Sequence, residues 1–323
     1  MTITQFTKND KSEISLVVPM YNESEMIDTF FSQVLLLMES LQVDYEIVCV
    51  NDGSTDDTYI KLLRYNHINP RIKILDLSRN FGKESALTAG IENASGQAVI
   101  PLDADLQDPP ELIEQMLEKW REGYDVVIGV RKDRESDSFF KRTTAKLFYK
   151  LIGKMGEVPI PMNAGDFRLL DRKVVNALMK IPERARFMKG IFAWLGFTQT
   201  FVYYTRPSRQ AGQTKFKPWK LWNFALDGLI SFSSMPLKVW TYLGLFVSMS
   251  SLFYMLFIIT RTFIHGIDVP GYASLMVAIL FFSGLNMIGL GILGEYISRV
   301  FIEVKQRPLY LIREKIGFTD KSN

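Results

Sequence analysis

From Val239 to Thr260 the chain runs for 22 residues without Asp, Glu, Lys, Arg or His, and from Gly271 to Gly294 for 24 more. No other feature limits the possible folds as strongly. At 1.5 Å per residue each stretch makes about 33–36 Å of helix, enough to cross a hydrocarbon layer about 30 Å thick. Only Arg261 to Pro270 separates the two, so they read as a hairpin of two spans. Lys215, Lys217, Lys220 and Lys238 precede the first span; Arg299, Lys305, Arg307, Arg313 and Lys315 follow the second. The connection offers only Arg261 and His265 against Asp268. Excess Lys and Arg marks the cytoplasmic flanks of a span. Both termini are therefore expected in the cytoplasm and the connection outside, in a cell inner membrane. The start of the chain, MTITQFTKNDKSE, is polar, so no signal peptide is expected. The region ahead of the spans then lies in a reducing compartment, which agrees with the single cysteine, Cys49.

The flanks of the hairpin also carry a pattern. Between Phe216 and Ser234, Trp219, Trp222, Phe224, Leu226, Leu229, Ile230 and Phe232 lie among lysines. Tryptophan with a basic face suits a helix lying in the headgroup plane, so residues 211–236 read as an interfacial region. Residues 295–306 read as a second amphipathic helix and 316–323 as a polar tail; the two spans are assigned to 237–296 and the cytoplasmic juxtamembrane helix and tail to 297–323. Gly289, Gly291 and Gly294 spell GxGxxG, but a dinucleotide fingerprint needs a strand before it, and here it lies inside an uncharged span. Close helix packing through small residues is the better account. With Gly284, these glycines would form a contact surface for a homo-oligomer. The spans hold no ionisable residue, and Asn286 is their strongly polar side chain, which suits an anchor rather than a path for charged headgroups.

Residues 1–210 remain for a cytoplasmic domain. The chain is 47% hydrophobic and 23% charged, which excludes a disordered or collagen-like chain. One cysteine and two distant histidines, His67 and His265, exclude a disulfide scaffold and a zinc cluster. A net charge of +3 is too small to argue for nucleic acid as a partner. Strands are expected over Ile14–Val18, Glu46–Val50, Ile72–Leu77, Ala98–Leu102 and Asp125–Val130. Helices are expected over Ser24–Leu41, Thr55–Tyr65, Glu84–Asn93 and Pro109–Glu122, with Asp56 and Asp57 in the first turn of the second. Strict alternation implies an α/β fold, a mostly parallel Rossmann-like sheet with helices on both faces. Ligands of such sheets bind beyond the carboxyl ends of the strands.

Those ends are acidic. Asn22 and Glu23 follow the first strand, Asn51 and Asp52 the second, and Asp76 ends the third. Asp103, Asp105, Gln107 and Asp108 follow the fourth, and Arg131 the fifth. A single Asp would be an ordinary cap or turn former. Acids at four strand ends are harder to assign to capping. Asp103-x-Asp105 puts two carboxylates on one side of an extended segment. Such hard oxygen ligands suit Mg2+ or Mn2+ bound together with phosphate oxygens.

The segments VVPMYNE (17–23), NDGSTDDT (51–58), DLSRNFGKESALTAG (76–90), LDADLQDPPE (102–111) and GDFRLLDR (165–172) resemble family 2 glycosyltransferases of the GT-A fold. The resemblance is closest to the polyprenyl-phosphate branch, that of dolichol-phosphate mannose synthase and the bacterial bactoprenol glucosyltransferases. It runs from residue 14 to about 315, and the hairpin with EYISRVFIEVKQRPLY is similar to the bacterial members. It implies a nucleotide-sugar site bordered by Pro19, Tyr21, Asn22, Glu23, Asp52, Asp76, Lys83 and Asp103. It implies an aspartate dyad of Asp103 and Asp105, with Asp105 and Gln107 as metal ligands, and a catalytic carboxylate at Asp166. The implied acceptor is a polyprenyl phosphate, whose oxygen is already anionic at neutral pH because its second pKa is about 6. A general base is then hardly needed. Asp166 would instead hold a sugar hydroxyl, orient Arg168 or stabilise an oxocarbenium-like state. Cations must align the acceptor phosphate; Arg131, Lys141, Arg142 and Arg206 are the candidates, with Arg134 and Arg209 nearby.

The expected reaction is an inverting, metal-dependent transfer of a hexose, with UDP-glucose favoured as donor. GDP-mannose, UDP-GlcNAc and an aminopentose donor stay open. A processive polysaccharide synthase would carry more spans and a QxxRW string, which does not occur here. A scaffold or flippase subunit built on an inactive transferase domain would have lost the metal acids, and Asp103 and Asp105 are both present.

Overall fold

The structure, a computed structural model, describes residues 12–131, 164–181, 183, 191–192, 194–204, 235–265 and 271–318. The chain divides into two units, one built on a sheet and one on two long helices.

The sheet unit begins with the expected alternation. Its first five strands are β1 (Ile14–Met20), β2 (Tyr45–Asn51), β3 (Ile72–Leu77), β4 (Ala98–Pro101) and β5 (Val126–Arg131). Between them lie α1 (Ile27–Ser40), α2 (Thr58–Ile68), α3 (Lys83–Asn93) and α4 (Leu112–Arg121). Then come β6 (Ala164–Asp171), α5 (Arg172–Leu178) and β7 (Gln199–Tyr204), and after the helical unit β8 (Ile312–Ile316). The eight strands form one sheet in the order β7-β5-β6-β4-β1-β2-β3-β8. β1 pairs in parallel with β2 and β4, β2 with β3, and β5 with β7. β6 runs antiparallel between β4 and β5, and β8 runs antiparallel along β3. This is the expected α/β architecture of the GT-A type, with a mixed sheet.

Packing explains the helical elements. β1 and β2 are buried along nearly their whole length, so their apolar runs do not alternate. Ile27, Phe30, Phe31, Val34 and Met38 recur on one face of α1, and all are buried. Phe31 stacks on Tyr65 of α2 with ring centroids 4.3 Å apart. α1 and α2 start later than the expected Ser24 and Thr55, because the loops ahead of them bond to each other instead. Ser24 N–H donates to Asp56 Oδ2 at 3.1 Å, and Thr58 N–H to Asp56 Oδ1 at 3.0 Å. Asp56 and Asp57 therefore precede α2 rather than fill its first turn. Pro109 and Pro110 likewise form turns ahead of α4, accepting from Leu112 and Ile113.

A charged cluster lies inside the sheet unit. Glu46 of β2 is 1% exposed. It accepts from Ser15 Oγ and Ser95 N–H, each at 2.5 Å, and pairs with Lys73 Nζ at 2.5 Å. The Arg172 guanidinium caps the same corner by donating to the carbonyls of Ala94 and Gly96.

The helical unit contains α6 (Met235–His265) and α7 (Tyr272–Lys305). Val239–His265 is long and apolar enough to cross a membrane, and none of its described side chains is buried. The expected amphipathic helix at 295–306 is the end of α7 rather than a separate element. Gly294 does not stop the helix; Gln306 does, turning left-handed at φ 48° with its N–H on Glu303 O. Of the four glycines, Gly289 faces the α6 helix, where a Cβ would collide with the Trp240 indole. Gly284, Gly291 and Gly294 face open space.

The segment expected as juxtamembrane helix and tail contains a strand. Ile74 pairs with Ile316, Leu75 with Lys315, Asp76 with Glu314 and Leu77 with Ile312. Residues 312–316 read IREKI, too charged and too short to announce a strand. Edge strands tolerate such composition, since one side faces water. Gly317 and Phe318 follow this strand, with Lys73 Nζ 5.4 Å above the Phe318 ring.

Candidate active site

The carboxyl ends of β1, β2 and β4 open into a cleft of about 360 Å³. Pro19, Met20 and Tyr21 bring β1 and its following loop to it, Asp52 follows β2, and Asn80, Gly82 and Lys83 come from the segment between β3 and α3. Asp103, Ala104 and Asp105 follow β4, and Glu23 completes the rim. The cleft thus gathers seven of the expected residues: Pro19, Tyr21, Glu23, Asp52, Lys83, Asp103 and Asp105.

Local hydrogen bonds place these groups. Asn22 turns left-handed at φ 54°. Its N–H donates to Ser54 Oγ at 3.0 Å and its Oδ1 accepts from Thr55 N–H at 2.8 Å. Glu23 N–H donates to Thr58 Oγ1 at 2.9 Å. The loops after β1 and β2 are laced together in this way, and Asn22 serves the lacing rather than the cleft lining. Burial alone would raise the Asp56 carboxyl, but hydrogen bonds from Thr58 and Ser24 outweigh it and hold it at about 2.

Asp52, 3% exposed, accepts from Phe81 N–H at 2.7 Å and Gly82 N–H at 2.9 Å. Burial pushes its carboxyl up, against the lowering effect of those two N–H groups and the Arg79 charge. The segment it grips runs close over Gly53, which is left-handed at φ 65°. A Cβ there would overlap the Arg79–Asn80 backbone, lying 2.6 Å from Asn80 N. Gly53→Ala is therefore expected to destabilise the protein by about 2 kcal/mol or more and to raise the donor KM. Thermal melting and initial rates check this; a variant with unchanged melting and KM would show that the segment yields freely.

The acids of the cleft repel one another. Burial pushes the Glu23 carboxyl up, and the charges of Asp105, Asp103 and Asp56 push it further. Lys83 Nζ lies 2.7 Å from Asp103 Oδ1, and it is the cation among the described lining residues. Asp105 Oδ1 accepts from Gln107 N–H at 3.2 Å. The Gln107 side chain does not line the cleft. No group of three His, Cys, Asp or Glu among the described residues forms a metal cage. Asp103 and Asp105 stand not on an extended segment, as expected, but in the turn that follows β4 ahead of left-handed Leu106. Two carboxylates of one turn, in a surplus of negative charge, still fit Mg2+ or Mn2+, which commonly take one or two protein carboxylates and complete their shell with phosphate oxygens and water.

Other expected residues stand elsewhere. Asp76 is 1% exposed and does not line the cleft. It faces the sheet edge, accepting from Asn51 Nδ2 at 2.7 Å and Arg313 at 3.1 Å. Arg131 donates to Tyr204 Oη at 3.2 Å and to Asp108 at 3.3 Å, and Tyr204 donates to the same carboxylate. Burial and the Asp108 charge push the Tyr204 phenol up to about 12. Arg131 thus pins the end of the Asp103–Asp108 loop onto β7. Asp166 lies on β6, whose antiparallel course sets its first residues beside the carboxyl end of β5, with Ala164 opposite Val130. The Asp166 side chain, and Arg134, Lys141, Arg142, Arg206, Arg209 and the segment 216–234, lie outside the described residues. Asn80 and Gly82 also line the cleft; neither follows a strand directly, and the only sequence signal that includes them is the segment DLSRNFGKESALTAG (76–90).

Known proteins resemble this chain over nearly all its length. The description "Glycosyl transferase family 2" matches residues 15–179, and "GtrB C-terminal hairpin" matches residues 235–300. The glycosyltransferase sll0501 of Synechocystis is 58% identical over 305 residues, covering 94% of this chain and 96% of its own. The SfII prophage-derived bactoprenol glucosyl transferase of Shigella flexneri is 49% identical over 302 residues, covering 94% and 98%. Among solved structures, glucosyl-3-phosphoglycerate synthase from Mycobacterium tuberculosis, in complex with Mn2+, uridine diphosphate and phosphoglyceric acid, matches with a TM-score of 0.46 and 20% identity over 66% of this chain and 74% of that one.

Proposed function

The chain belongs to glycosyl transferase family 2, and from that membership we propose that it moves glucose from UDP-glucose to a polyprenyl phosphate at the cytoplasmic face of a membrane. The observation that carries this reading is the match to a bactoprenol glucosyl transferase, which runs through the cleft-bearing unit and the hairpin alike. The two apolar helices support a two-span anchor with both termini cytoplasmic.

The reaction breaks the bond between the anomeric carbon and the diphosphate and forms one to the acceptor phosphate oxygen. Attack opposite the leaving group inverts the carbon, so the product is a β-linked polyprenyl-phosphate glucose. Asp103 and Asp105 would hold Mg2+ or Mn2+, which when bound offsets the charge that develops on the leaving nucleotide. Lys83, beside Asp103, adds a positive charge on the same side of the cleft. Asp52 keeps the wall Asn80–Lys83 in place through Phe81 and Gly82. Tyr21, 45% exposed at the rim, is suited to stacking on a base. The acceptor oxygen arrives ionised, so Asp166 is assigned to holding the sugar or stabilising positive charge on it rather than to taking a proton. Lys141, Arg142 and Arg206 are assigned to the acceptor phosphate. Arg131 contributes through Asp108 and Tyr204.

A donor panel tests the reading. Full-length protein in detergent, with undecaprenyl phosphate and Mg2+ or Mn2+, is given radiolabelled UDP-glucose, GDP-mannose or UDP-GlcNAc. Label is expected to enter the organic phase from UDP-glucose. Transfer from GDP-mannose or UDP-GlcNAc instead would replace the donor, and transfer from none would overturn the reaction.

A further inference from the structure

We propose that Arg313, on the strand that follows the hairpin, is a positioning residue for the nucleotide cleft. The inference rests on the reading of that cleft as a donor site. Neither family match includes this strand, since they end at residues 179 and 300.

Arg313 makes two contacts at the edge of β3. Its Nη1 donates to Asp76 Oδ2 at 3.1 Å and its Nη2 to the Ser78 carbonyl at 2.8 Å. Ser78 N–H in turn donates to the Leu311 carbonyl at 2.9 Å. One guanidinium thus spans the last residues of β3 and the first of the segment that forms the cleft wall. From Ser78 the chain passes through Asn80, Phe81 and Gly82 to Lys83. Asn80, Gly82 and Lys83 line the cleft, and Lys83 pairs with Asp103. At its far end the wall is gripped by Asp52 through Phe81 and Gly82. Asp52 and Asp76 are themselves linked, because Asn51, next to Asp52, donates to Asp76 Oδ1. The wall therefore has two anchors: Asp52 from the sheet and Arg313 from the C-terminal strand.

The energetics favour an effect larger than an exposed ion pair gives. The Arg313 side chain is 61% exposed, but that of Asp76 is 2% exposed. Removing an exposed charge from another exposed charge costs little. Removing it here leaves a buried carboxylate oxygen short of its charged donor and a carbonyl at the root of the wall without the same donor, and such losses are expensive. The strand stays attached by other contacts. Tyr59 Oη donates to Glu314 at 2.7 Å and Lys315 Nζ to Asn93 Oδ1 at 2.7 Å. A variant at Arg313 should therefore loosen the wall without detaching β8.

The test compares full-length Arg313→Ala and Arg313→Lys with Lys315→Ala, a control on the same strand. For Arg313→Ala, the UDP-glucose KM and the UDP Kd measured with Mn2+ are expected to rise about tenfold. The polyprenyl phosphate KM should stay within a factor of about two, a margin equal to a few tenths of a kcal/mol. Lys reaches Asp76 or Ser78 but not both, so Arg313→Lys should fall between. Lys315→Ala should match wild type in UDP-glucose KM. Hydrogen exchange gives a readout independent of any ligand: the N–H groups of Phe81 and Gly82 should exchange faster in Arg313→Ala. Unchanged exchange there, or an equal effect of Lys315→Ala, would overturn the positioning role. Faster exchange in a protein whose wild type binds no UDP would support it while removing the donor-site reading.

Discussion

Replacing Asp105 with Ala is expected to lower turnover by about a thousandfold while the protein stays folded and membrane-associated. Asp105 and Asp103 stand in the loop after β4 and line the same cleft, yet their surroundings differ. Asp103 is held by Lys83, whereas Asp105 is oriented by the Gln107 N–H. Removing Asp105 takes away a carboxylate assigned to the cation without disturbing the Lys83 pair. Removing Asp103 disturbs both, so Asp103→Ala should lose turnover and also weaken donor binding. Label transfer from UDP-glucose at saturating Mn2+, beside thermal melting, measures this. Full turnover in Asp105→Ala would mean that these carboxylates do not hold a catalytic metal. The repulsion felt at Glu23 makes a second point, since Asp105 and Asp103 both push its carboxyl up. Asp105→Ala relieves part of that repulsion, so melting should not fall and can rise slightly.

The second large effect concerns stability. Glu46→Ala is expected to cost about 3–5 kcal/mol, because it strands a part-buried ammonium, the buried Ser15 hydroxyl and the part-buried Ser95 N–H. Lys73 would lose its partner, and Ser15 Oγ and Ser95 N–H would lose their acceptor. The same cluster predicts an acid-side dependence. Burial alone would raise the Glu46 carboxyl, but Lys73, Ser15 and Ser95 outweigh burial and hold it below the ordinary glutamate value of 4.5. A group depressed in the folded state contributes its stability above the unfolded value and loses it as pH falls through the folded one. The gap between wild type and Glu46→Ala should thus be full at neutral pH and shrink below about pH 4.5. Denaturant midpoints at pH 7 and pH 4 measure it. A gap that widens in acid would show that the cluster is held by something other than the ionised carboxylate.

Both predictions draw on residues that differ in how visible they are in the sequence. Asp103 and Asp105 can be read directly, because the end of a strand and a DxD spacing are local features. Glu23 and Asp52 follow from the same logic, each lying just after a strand, whereas Pro19, Tyr21 and Lys83 are named only through the family resemblance. Glu46 cannot be read that way. A glutamate at the head of a strand looks like a solvated edge, and only its packing beside Ser15, Lys73 and Ser95 makes it an internal charge. Asn22 and Asp76 show how a strand-end position leaves a side chain's partners undecided. Both sit at the expected strand ends, yet one laces two loops together and the other turns toward the sheet edge.

What the sequence determined by itself is what depends on contiguous residues. Transfer into a lipid layer sums over a stretch of chain, so the apolar runs at 239–260 and 271–294 declare two long helices without reference to anything else. The alternation of strand and helix through Val130 is local in the same sense. What only the tertiary structure decided is which distant segments meet. β6 enters antiparallel between β4 and β5, and β8 returns to β3 after the whole hairpin. Arg313 and Asp76 are 237 residues apart, and no periodicity in either segment names the other. Their contact exists because the edge of β3 leaves a row of backbone donors and acceptors to satisfy, and the C-terminal strand supplies the matching row.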